Sequence, residues 1–250
     1  MVAPRYLDVS VLSYIFTRIM EKTETGLELI KTYFPGLSDL QLQQFGALNE
    51  QYKDWNQRIN VISRKDIDSI YEKHVLHSLA VAKFFQFADS TELLDLGTGG
   101  GFPGIPLAIL FPNCSFLLID SIGKKIKVVE AISSALGLKN IEALPIRVEE
   151  LRKRKFDFVL TRAVASLEII WKWTIPLMRV NPKARSTHSQ GLISLKGGDL
   201  SKEIAACGCN PQIMEIHAFF PLEYFRQKYV LFVQQPVEAK TSAAITRNIL

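Results

Sequence analysis

The strongest constraint on the fold is an apolar segment that runs directly into a cluster of glycines. Residues 92–96 read Glu-Leu-Leu-Asp-Leu, and the next positions include Gly97, Gly99, Gly100 and Gly101. Glycine lacks the Cβ that would hold backbone amides away from a ligand, and it tolerates positive φ. A strand that ends in such a turn lets the chain fold tightly against a bound molecule. The segment 92–104 therefore predicts a cofactor pocket.

Short apolar runs alternate with helical segments after residue 90, which is typical of a parallel sheet with crossover helices. One helix is predicted to begin near Gly104 or Ile105 and to stop before Pro112, and another to span 124–136. The predicted strands are 92–96, 116–120, 141–146, 156–161 and 192–195, followed by an antiparallel edge hairpin of 213–220 and 229–234. The predicted fold class is α/β, with a Rossmann-like, doubly wound and mostly parallel sheet.

The amino-terminal part of the chain is predicted to consist of amphipathic helices. Ser38 and Gln41 have the spacing of a capping box. Apolar residues then recur at helical spacing: Phe45, Leu48, Tyr52, Trp55 and Ile59. A second helix is predicted over 66–87. It contains His74 and His77, which we interpret as packed or surface histidines, because the further ligands that a metal would need cannot be identified.

The composition is that of an ordinary globular protein, with 48% apolar residues, 22% charged residues and a formal net charge of +5. No run approaches the roughly 18 apolar residues that span a bilayer, so no membrane partner is expected. Cys114, Cys207 and Cys209 do not form the framework of a secreted disulfide protein. We interpret them as small residues in a reducing cytoplasm. No second Cys/His pair has zinc spacing, so no metal is expected either.

The spacing of the glycines distinguishes between cofactors. A dinucleotide site has the pattern G-x-G-x-x-G, but counting from Gly97 and Gly99 the third glycine position is Phe102. Phe102 and Pro103 obstruct the approach of a pyrophosphate to the following helix. S-adenosylmethionine, an adenosine ligand with a carboxylate and no diphosphate, suits this turn better. Asp120 ends the second strand and is predicted to accept hydrogen bonds from the ribose. The pattern indicates a class I methyltransferase core.

Further motifs extend over about 55–198. They read WNQRIN at 55–60, HVLHSL at 74–79, DSIGKK at 120–125, RVEE at 147–150, TRA at 161–163 and LKG at 195–197. Together with the glycine turn, this set resembles the RsmG family, also called GidB, of bacterial enzymes that methylate N7 of a guanine in 16S ribosomal RNA. The resemblance implies S-adenosylmethionine as cofactor, 16S rRNA (guanine 527) or the small ribosomal subunit as partner, and a cytoplasmic location.

The same resemblance implies roles for individual residues. Gly97 and Phe102 would touch the cofactor, Val148 and Glu149 would flank its adenine, and Arg162 would border both cofactor and substrate. The candidate cofactor-binding residues are therefore Asp95, Gly97, Gly99, Gly101, Phe102, Asp120, Val148, Glu149 and Arg162. The candidates for RNA contact are Arg58, Arg64, Lys124, Lys125 and Lys196. His77 departs from the family, which often has Asp there, and Thr161 stands where Ser is common.

The expected chemistry needs no proton-transferring residue, because guanine N7 carries a lone pair and no proton. Catalysis is expected to rest on alignment and on a preorganised electrostatic pocket, with Arg162 as the candidate for positioning. Two other functions remain open: a methyltransferase acting on small molecules or proteins, and a non-catalytic protein that binds the ribosome or RNA. A dehydrogenase is disfavoured by Phe102.

The predicted organisation has four parts. Residues 1–24 are a poorly defined extension, 25–89 a helical region, 90–235 the methyltransferase core and 236–250 a tail. Within the core, residues 181–191 are polar and rich in turn formers, which predicts a mobile loop.

Overall fold

The computed structural model describes residues 26–151, 154–162, 164–179 and 190–235, and the strands in these ranges form one seven-stranded sheet. The strands are β1 (Glu92–Leu96), β2 (Ser115–Ile119), β3 (Ile141–Leu144), β4 (Phe158–Arg162), β5 (Gly191–Gly197), β6 (Gln212–Glu215) and β7 (Lys228–Gln234). Their order across the sheet is β3-β2-β1-β4-β5-β7-β6. Strands β1 to β5 are parallel, and β7 is antiparallel to β5 and β6. The predicted fold class is confirmed.

The predicted strands are present, but some ends differ. β4 begins at Phe158, because Phe156 forms an isolated bridge with Met178 instead of pairing with β1. The strand predicted over 213–220 ends at Glu215, where the short 3-10 helix Ile216–Ala218 follows. That turn carries Ile216 and Phe220 into the core, where both side chains are fully buried. Apolar spacing alone could not separate this turn from a longer strand.

Four helices lie along the sheet: α5 (Gly104–Leu110), α6 (Gly123–Ala135), α7 (Leu167–Thr174) and α8 (Ser201–Cys207). The first two confirm the predicted helices, and Gly137 follows α6 with a φ of +67°. Neither α7 nor α8 is marked by a helical pattern from which it was predicted. α7 reads LEIIWKWT, an apolar run too short for its period to distinguish a helix from a strand.

The amino-terminal helical layer begins with α1, described over residues 26–33, and α2 (Asp39–Arg58), and it continues through the helical segment 67–84. The predicted capping box is present, since the Ser38 hydroxyl accepts a hydrogen bond from the Gln41 amide and the Gln41 side chain accepts one from the Ser38 amide. Gln41 also donates to the carbonyl of Ile109, which fastens α2 to α5. Phe45, Leu48 and Tyr52 are fully buried, as their spacing predicted; Trp55 and Ile59 are partly buried.

The helical segment predicted over 66–87 is present, but its hydrogen-bond pattern changes along its length. It comprises the 3-10 turn Ile67–Ser69, the π-helical segment Tyr71–Leu76, α3 (His77–Leu79) and α4 (Val81–Phe84), and the junction residues Ile70 and Ala80 keep right-handed helical torsions. Phe85 already has extended backbone, because its ring packs against Phe232 of β7 at 5.1 Å between centroids. Tertiary packing therefore ends this helix earlier than the apolar spacing predicted.

Alternating residues of each central strand enter two apolar clusters, one on each face of the sheet. In β1, Leu93 belongs to the cluster formed with α2, α5 and α6, whereas Leu94 belongs to the one formed with α7 and α8. The amino-terminal helices thus share a core with the sheet. Within the described ranges, no helix combines the length and the apolar character needed to cross a bilayer.

The cysteines differ from their interpretation as unlinked residues. Cys207 and Cys209 are joined by a disulfide across Gly208, which has a φ of +60°, whereas Cys114 is free and buried. The interpretation was wrong for this pair because the left-handed conformation of Gly208 brings the two cysteines together. The sequence shows the glycine but not its backbone conformation. The predicted extension (1–24), the tail (236–250) and nearly all of the loop 181–191 lie outside the described residues.

Gly191 is expected to be intolerant of a side chain. A Cβ at this position of β5 would lie 2.3 Å from the Val233 carbonyl oxygen, a backbone atom of β7. We expect Gly191→Ala to lower the free energy of unfolding by about 1–3 kcal/mol, as measured by urea denaturation. Gly36→Ala is the control, because nothing lies within 4 Å of its added Cβ. Equal stability of the two variants would contradict the prediction.

Candidate active site

The glycine turn folds the chain back at the carboxyl end of β1. Gly97, Gly99 and Gly101 all have positive φ, at +68°, +59° and +103°. At Gly97 a side chain is further excluded, since an added Cβ would lie 2.5 Å from a methyl carbon of Val164. Amides of Gly101 and Phe102 both donate to the Thr98 carbonyl, at 2.9 and 3.0 Å. These bonds close the turn and lead the chain into α5.

Asp95 is the internal brace of this turn. Its fully buried Oδ2 accepts hydrogen bonds from the Thr98 hydroxyl at 2.6 Å and from the Gly104 amide at 2.8 Å. Oδ1 has no hydrogen-bond partner among the described residues. Burial raises the pKa of Asp95 to about 6, against the opposing effect of these two hydrogen bonds. The carboxylate therefore points into the protein and holds the turn to the start of α5.

Asp120 follows β2 and faces the opposite side of the turn. Its Oδ2 accepts a hydrogen bond from the Gly99 amide at 3.1 Å and lies 3.3 Å from Nζ of Lys125. Its Oδ1 accepts from the Ile122 amide at 2.9 Å. The acid at the end of the second strand is thus fixed relative to the glycine turn, although the two are separated by a helix and a strand in the sequence.

A cleft of about 340 Å³ opens at the carboxyl edge of the sheet. Five of the predicted cofactor residues line it: Gly97, Asp120, Val148, Glu149 and Arg162. The structure adds residues that sequence reasoning did not assign to the site, including Ile122, Ile146, Arg147, Val164 and Trp173. Lys125, predicted to contact RNA, lines it as well. Trp173 was missed because α7 was not predicted.

The other predicted residues lie around the cleft rather than along it. Asp95 is behind the turn, Gly99 contacts Asp120, and an added Cβ on Gly101 would meet Ile105 of α5. Phe102 is buried, with 3% exposure. Their direct contact with a cofactor stays a prediction.

Phe102 is surrounded by side chains from three separate parts of the chain. The Tyr52 ring stacks on it at 4.7 Å, and the His74 ring lies at 5.1 Å. The Arg162 guanidinium carbon lies 5.1 Å from its centroid, the geometry of a cation–π contact. Tyr52 also donates to the Gly100 carbonyl at 2.7 Å. The amino-terminal helices therefore support the glycine turn, which no local sequence signal indicated.

Arg162 ends β4 and is largely buried, which lowers the pKa of its guanidinium. Its Nη2 lies 2.9 Å from Nδ1 of His74. Burial, and next the positive charge of Arg162, lower the pKa of His74 to about 3. The imidazole is therefore neutral near pH 7, and Nδ1 accepts the hydrogen bond from Arg162. His74, interpreted from sequence as an ordinary packed histidine, contacts a residue of the cleft.

The residues predicted to contact RNA occupy different environments. Arg64 and Lys124 are exposed, and Arg58 pairs with Asp54 one helical turn away at 3.0 Å. Lys196 is largely buried and donates to Glu203 and to the Ala165 carbonyl, at 2.7 and 2.6 Å. Contact of any of these residues with RNA stays a prediction.

The fold and the cleft define the class of protein. A solved S-adenosylmethionine-dependent methyltransferase from Aquifex aeolicus aligns with 70% of this chain and 100% of its own, with a TM-score of 0.51 and 14% identity. That likeness concerns the fold alone. Together with the strand order, it defines the Rossmann-like fold of class I methyltransferases.

Sequence comparison identifies the family. Residues 41–215 match the family described as GidB, rRNA small subunit methyltransferase G. Proteins named "Ribosomal RNA small subunit methyltransferase G" are 49% identical over 207 residues in Phocaeicola vulgatus, covering 83% of this chain and 98% of the relative, and 47% identical over 207 residues in Cytophaga hutchinsonii, covering 83% and 99%. The chain belongs to this family, and it is an S-adenosylmethionine-dependent methyltransferase.

The raised pKa of Asp95 predicts a pH-dependent stability. The folded state holds this proton more tightly than the unfolded chain, so ionisation of Asp95 destabilises the fold as the pH rises from about 4 to about 6. In Asp95→Asn the amide oxygen keeps both hydrogen bonds, and the amide nitrogen replaces the unpaired Oδ1. We expect urea denaturation to show the wild type losing on the order of 2 kcal/mol relative to Asp95→Asn between pH 4 and pH 7. A stability difference independent of pH would refute this.

Proposed function

We propose that this protein transfers the methyl group of S-adenosylmethionine to N7 of a guanine in 16S ribosomal RNA, in the cytoplasm. The observation that carries the proposal is the cleft at the carboxyl edge, lined by Gly97, Asp120 and Arg162. Its volume of about 340 Å³ lies in the range of small-molecule sites. The acceptor is supported by the relatives that bear the name of a small-subunit rRNA methyltransferase over nearly their whole length.

The order of the strands suggests how the methyl donor lies. From β3 to β4, the cleft presents first Val148 and Glu149, then Asp120, and finally Gly97 and Arg162. We assign the adenine to the first position and the ribose hydroxyls to the Asp120 carboxylate. The amino-acid end then lies near Gly97 and Arg162. The carboxylate brings a negative charge to the guanidinium, which in the described part of the chain has a neutral histidine as its hydrogen-bond partner.

The donor supplies an electrophilic methyl group on a positively charged sulfur. Guanine N7 presents a lone pair and no proton, so the protein needs no general base. Its residues act by position: the glycine turn allows close approach, Asp120 holds the ribose, and Arg162 fixes the amino-acid end. Phe102, packed between Tyr52 and Arg162, keeps these groups in place before the donor binds.

The direct test is methyl transfer from labelled S-adenosylmethionine to small ribosomal subunits purified from cells that lack this gene. We expect label in 16S RNA, and N7-methylguanine at one position when the RNA is cleaved at that base. Label in protein or in small molecules alone would favour a methyltransferase of another specificity. Binding of subunits without any transfer would favour the non-catalytic alternative.

Trp173 provides a test of the adenine position. It lines the cleft together with Val148 and Glu149, whereas Trp55 does not. We expect S-adenosylhomocysteine to quench the tryptophan fluorescence of the wild type and of Trp55→Phe. Trp173→Phe should lose most of that signal, and Trp173→Ala should bind about tenfold more weakly because its aromatic contact is removed. Unchanged quenching in Trp173→Phe would contradict the assignment.

Arg64 and Lys124 provide a test of the RNA surface, since both are exposed. Lys124 lies in the first turn of α6, which begins at the cleft edge, and Arg64 lies in the loop whose Val61 would be 2.9 Å from a Cβ on Gly100. We expect the double variant Arg64→Glu with Lys124→Glu to lower kcat/KM for small subunits at least tenfold. The slope of the logarithm of the affinity for small subunits against the logarithm of the salt concentration should become less steep by roughly one for each phosphate contact removed.

The matched control for each of the two single reversals, Arg64→Glu and Lys124→Glu, is Lys139→Glu, which changes the net charge by the same amount. Lys139 is also exposed, but it precedes β3 and so lies at the opposite edge of the sheet from the cleft. Affinity for S-adenosylhomocysteine should be the same in all three proteins. An equal loss of activity in the control would mean that only net charge matters.

A further inference from the structure

Arg162 occupies an unusual environment for a charged side chain. It is largely buried, and the hydrogen bond described for its guanidinium goes to His74 Nδ1 at 2.9 Å. None of the ion pairs in the described ranges includes it. A buried cation without a carboxylate partner gains from an anion that enters its cleft.

The orientation of Arg162 depends on contacts from two sides. Phe102 lies under the guanidinium, with 5.1 Å from its carbon to the ring centroid, and His74 accepts a hydrogen bond at its edge. Phe102 supports the cation but allows it to slide over the ring face, because the cation–π attraction has no single donor direction. The hydrogen bond to Nδ1 has a direction, so it selects one position of the planar guanidinium.

His74 is itself held in an uncommon backbone segment. It lies in the π-helical stretch Tyr71–Leu76, a form that occurs mostly as single turns inside α-helices and frequently at functional sites. The Ser78 hydroxyl donates to the His74 carbonyl at 2.7 Å, and the Tyr224 hydroxyl donates to the carbonyl of Lys73 at 3.2 Å. Lys73 in turn pairs with Asp66 at 2.6 Å. The backbone that carries the imidazole is thus held by hydrogen bonds to the carbonyls of Lys73 and His74 and by the ion pair of the Lys73 side chain.

We propose that His74 is a positioning residue for the methyl donor: its neutral Nδ1 holds Arg162 over Phe102, so that the remaining N–H groups of the guanidinium receive the donor's carboxylate. The choice of ligand rests on the proposed function, whereas the contact between His74 and Arg162 does not. A residue that served only to fill space would not need a hydrogen-bond acceptor at this atom.

The test compares two ligands by calorimetry: S-adenosylhomocysteine, and its decarboxylated analogue, which keeps the amine. His74→Leu removes the acceptor, whereas His74→Asn keeps one, because the Asn Oδ1 and the His Nδ1 are both attached to Cγ. We expect His74→Leu to bind S-adenosylhomocysteine about tenfold more weakly and the analogue as the wild type does. His74→Asn should recover most of the loss. In an Arg162→Gln background, His74→Leu should have little further effect.

Two controls separate positioning from folding. His217→Leu makes the same substitution in the 3-10 helix next to β6, outside the cleft lining, and should leave both affinities unchanged. Thermal unfolding of each variant reports on its stability. Equal weakening of both ligands by His74→Leu, or failure of His74→Asn to recover affinity, would overturn the proposal and leave His74 a packing residue.

These measurements need no RNA, so the proposal for His74 can be refuted independently of the proposed function. If the wild type binds S-adenosylhomocysteine and the variants behave as expected, but no RNA is methylated, the proposed function falls and the role of His74 stands. If RNA is methylated and His74→Leu weakens both ligands equally, the proposed function stands and the role of His74 falls. A wild type that does not bind S-adenosylhomocysteine overturns both.

Discussion

One buried carboxylate oxygen, Asp95 Oδ2, connects the end of β1 to the start of α5. It accepts hydrogen bonds from the Thr98 hydroxyl and the Gly104 amide, across the whole glycine turn. Burying a charge is costly, and the raised pKa of Asp95 reflects that cost. Because the turn is closed in this way, Gly97 faces the cleft and the Gly99 amide reaches Asp120, which follows β2.

The second support of the site comes from the amino-terminal helices. Tyr52 stacks on Phe102 and donates a hydrogen bond to the Gly100 carbonyl. His74 contacts both Phe102 and Arg162. These helices share the apolar core of one sheet face, so they are part of the same folding unit as the cleft. A change in the amino-terminal layer therefore acts on the cofactor site through packing, without touching the cofactor.

Strong local signals were predictable. The capping box at Ser38, the helices α5 and α6 and the two strands that carry an acid at their carboxyl ends all follow from short-range spacing. Weak ones were not. α7 is short and nearly uniformly apolar, so its helical period is not visible and Trp173 was missed with it. The helix predicted over 66–87 ends at Phe84, where Phe85 packs against Phe232 of β7, and this contact joins residues that are far apart in the sequence.

The sequence by itself determined the fold class, the glycine turn and the kind of cofactor, because these depend on spacing along one segment. The kind of cofactor followed from Phe102, which stands where a dinucleotide site has its third glycine. Only the tertiary structure decided that Asp95 braces the turn while Asp120 lines the cleft, since both are acids at strand ends. It also decided that His74 meets Arg162, residues far apart in the chain that approach to 2.9 Å. Such contacts arise from the packing of helices on a sheet, which no local pattern specifies.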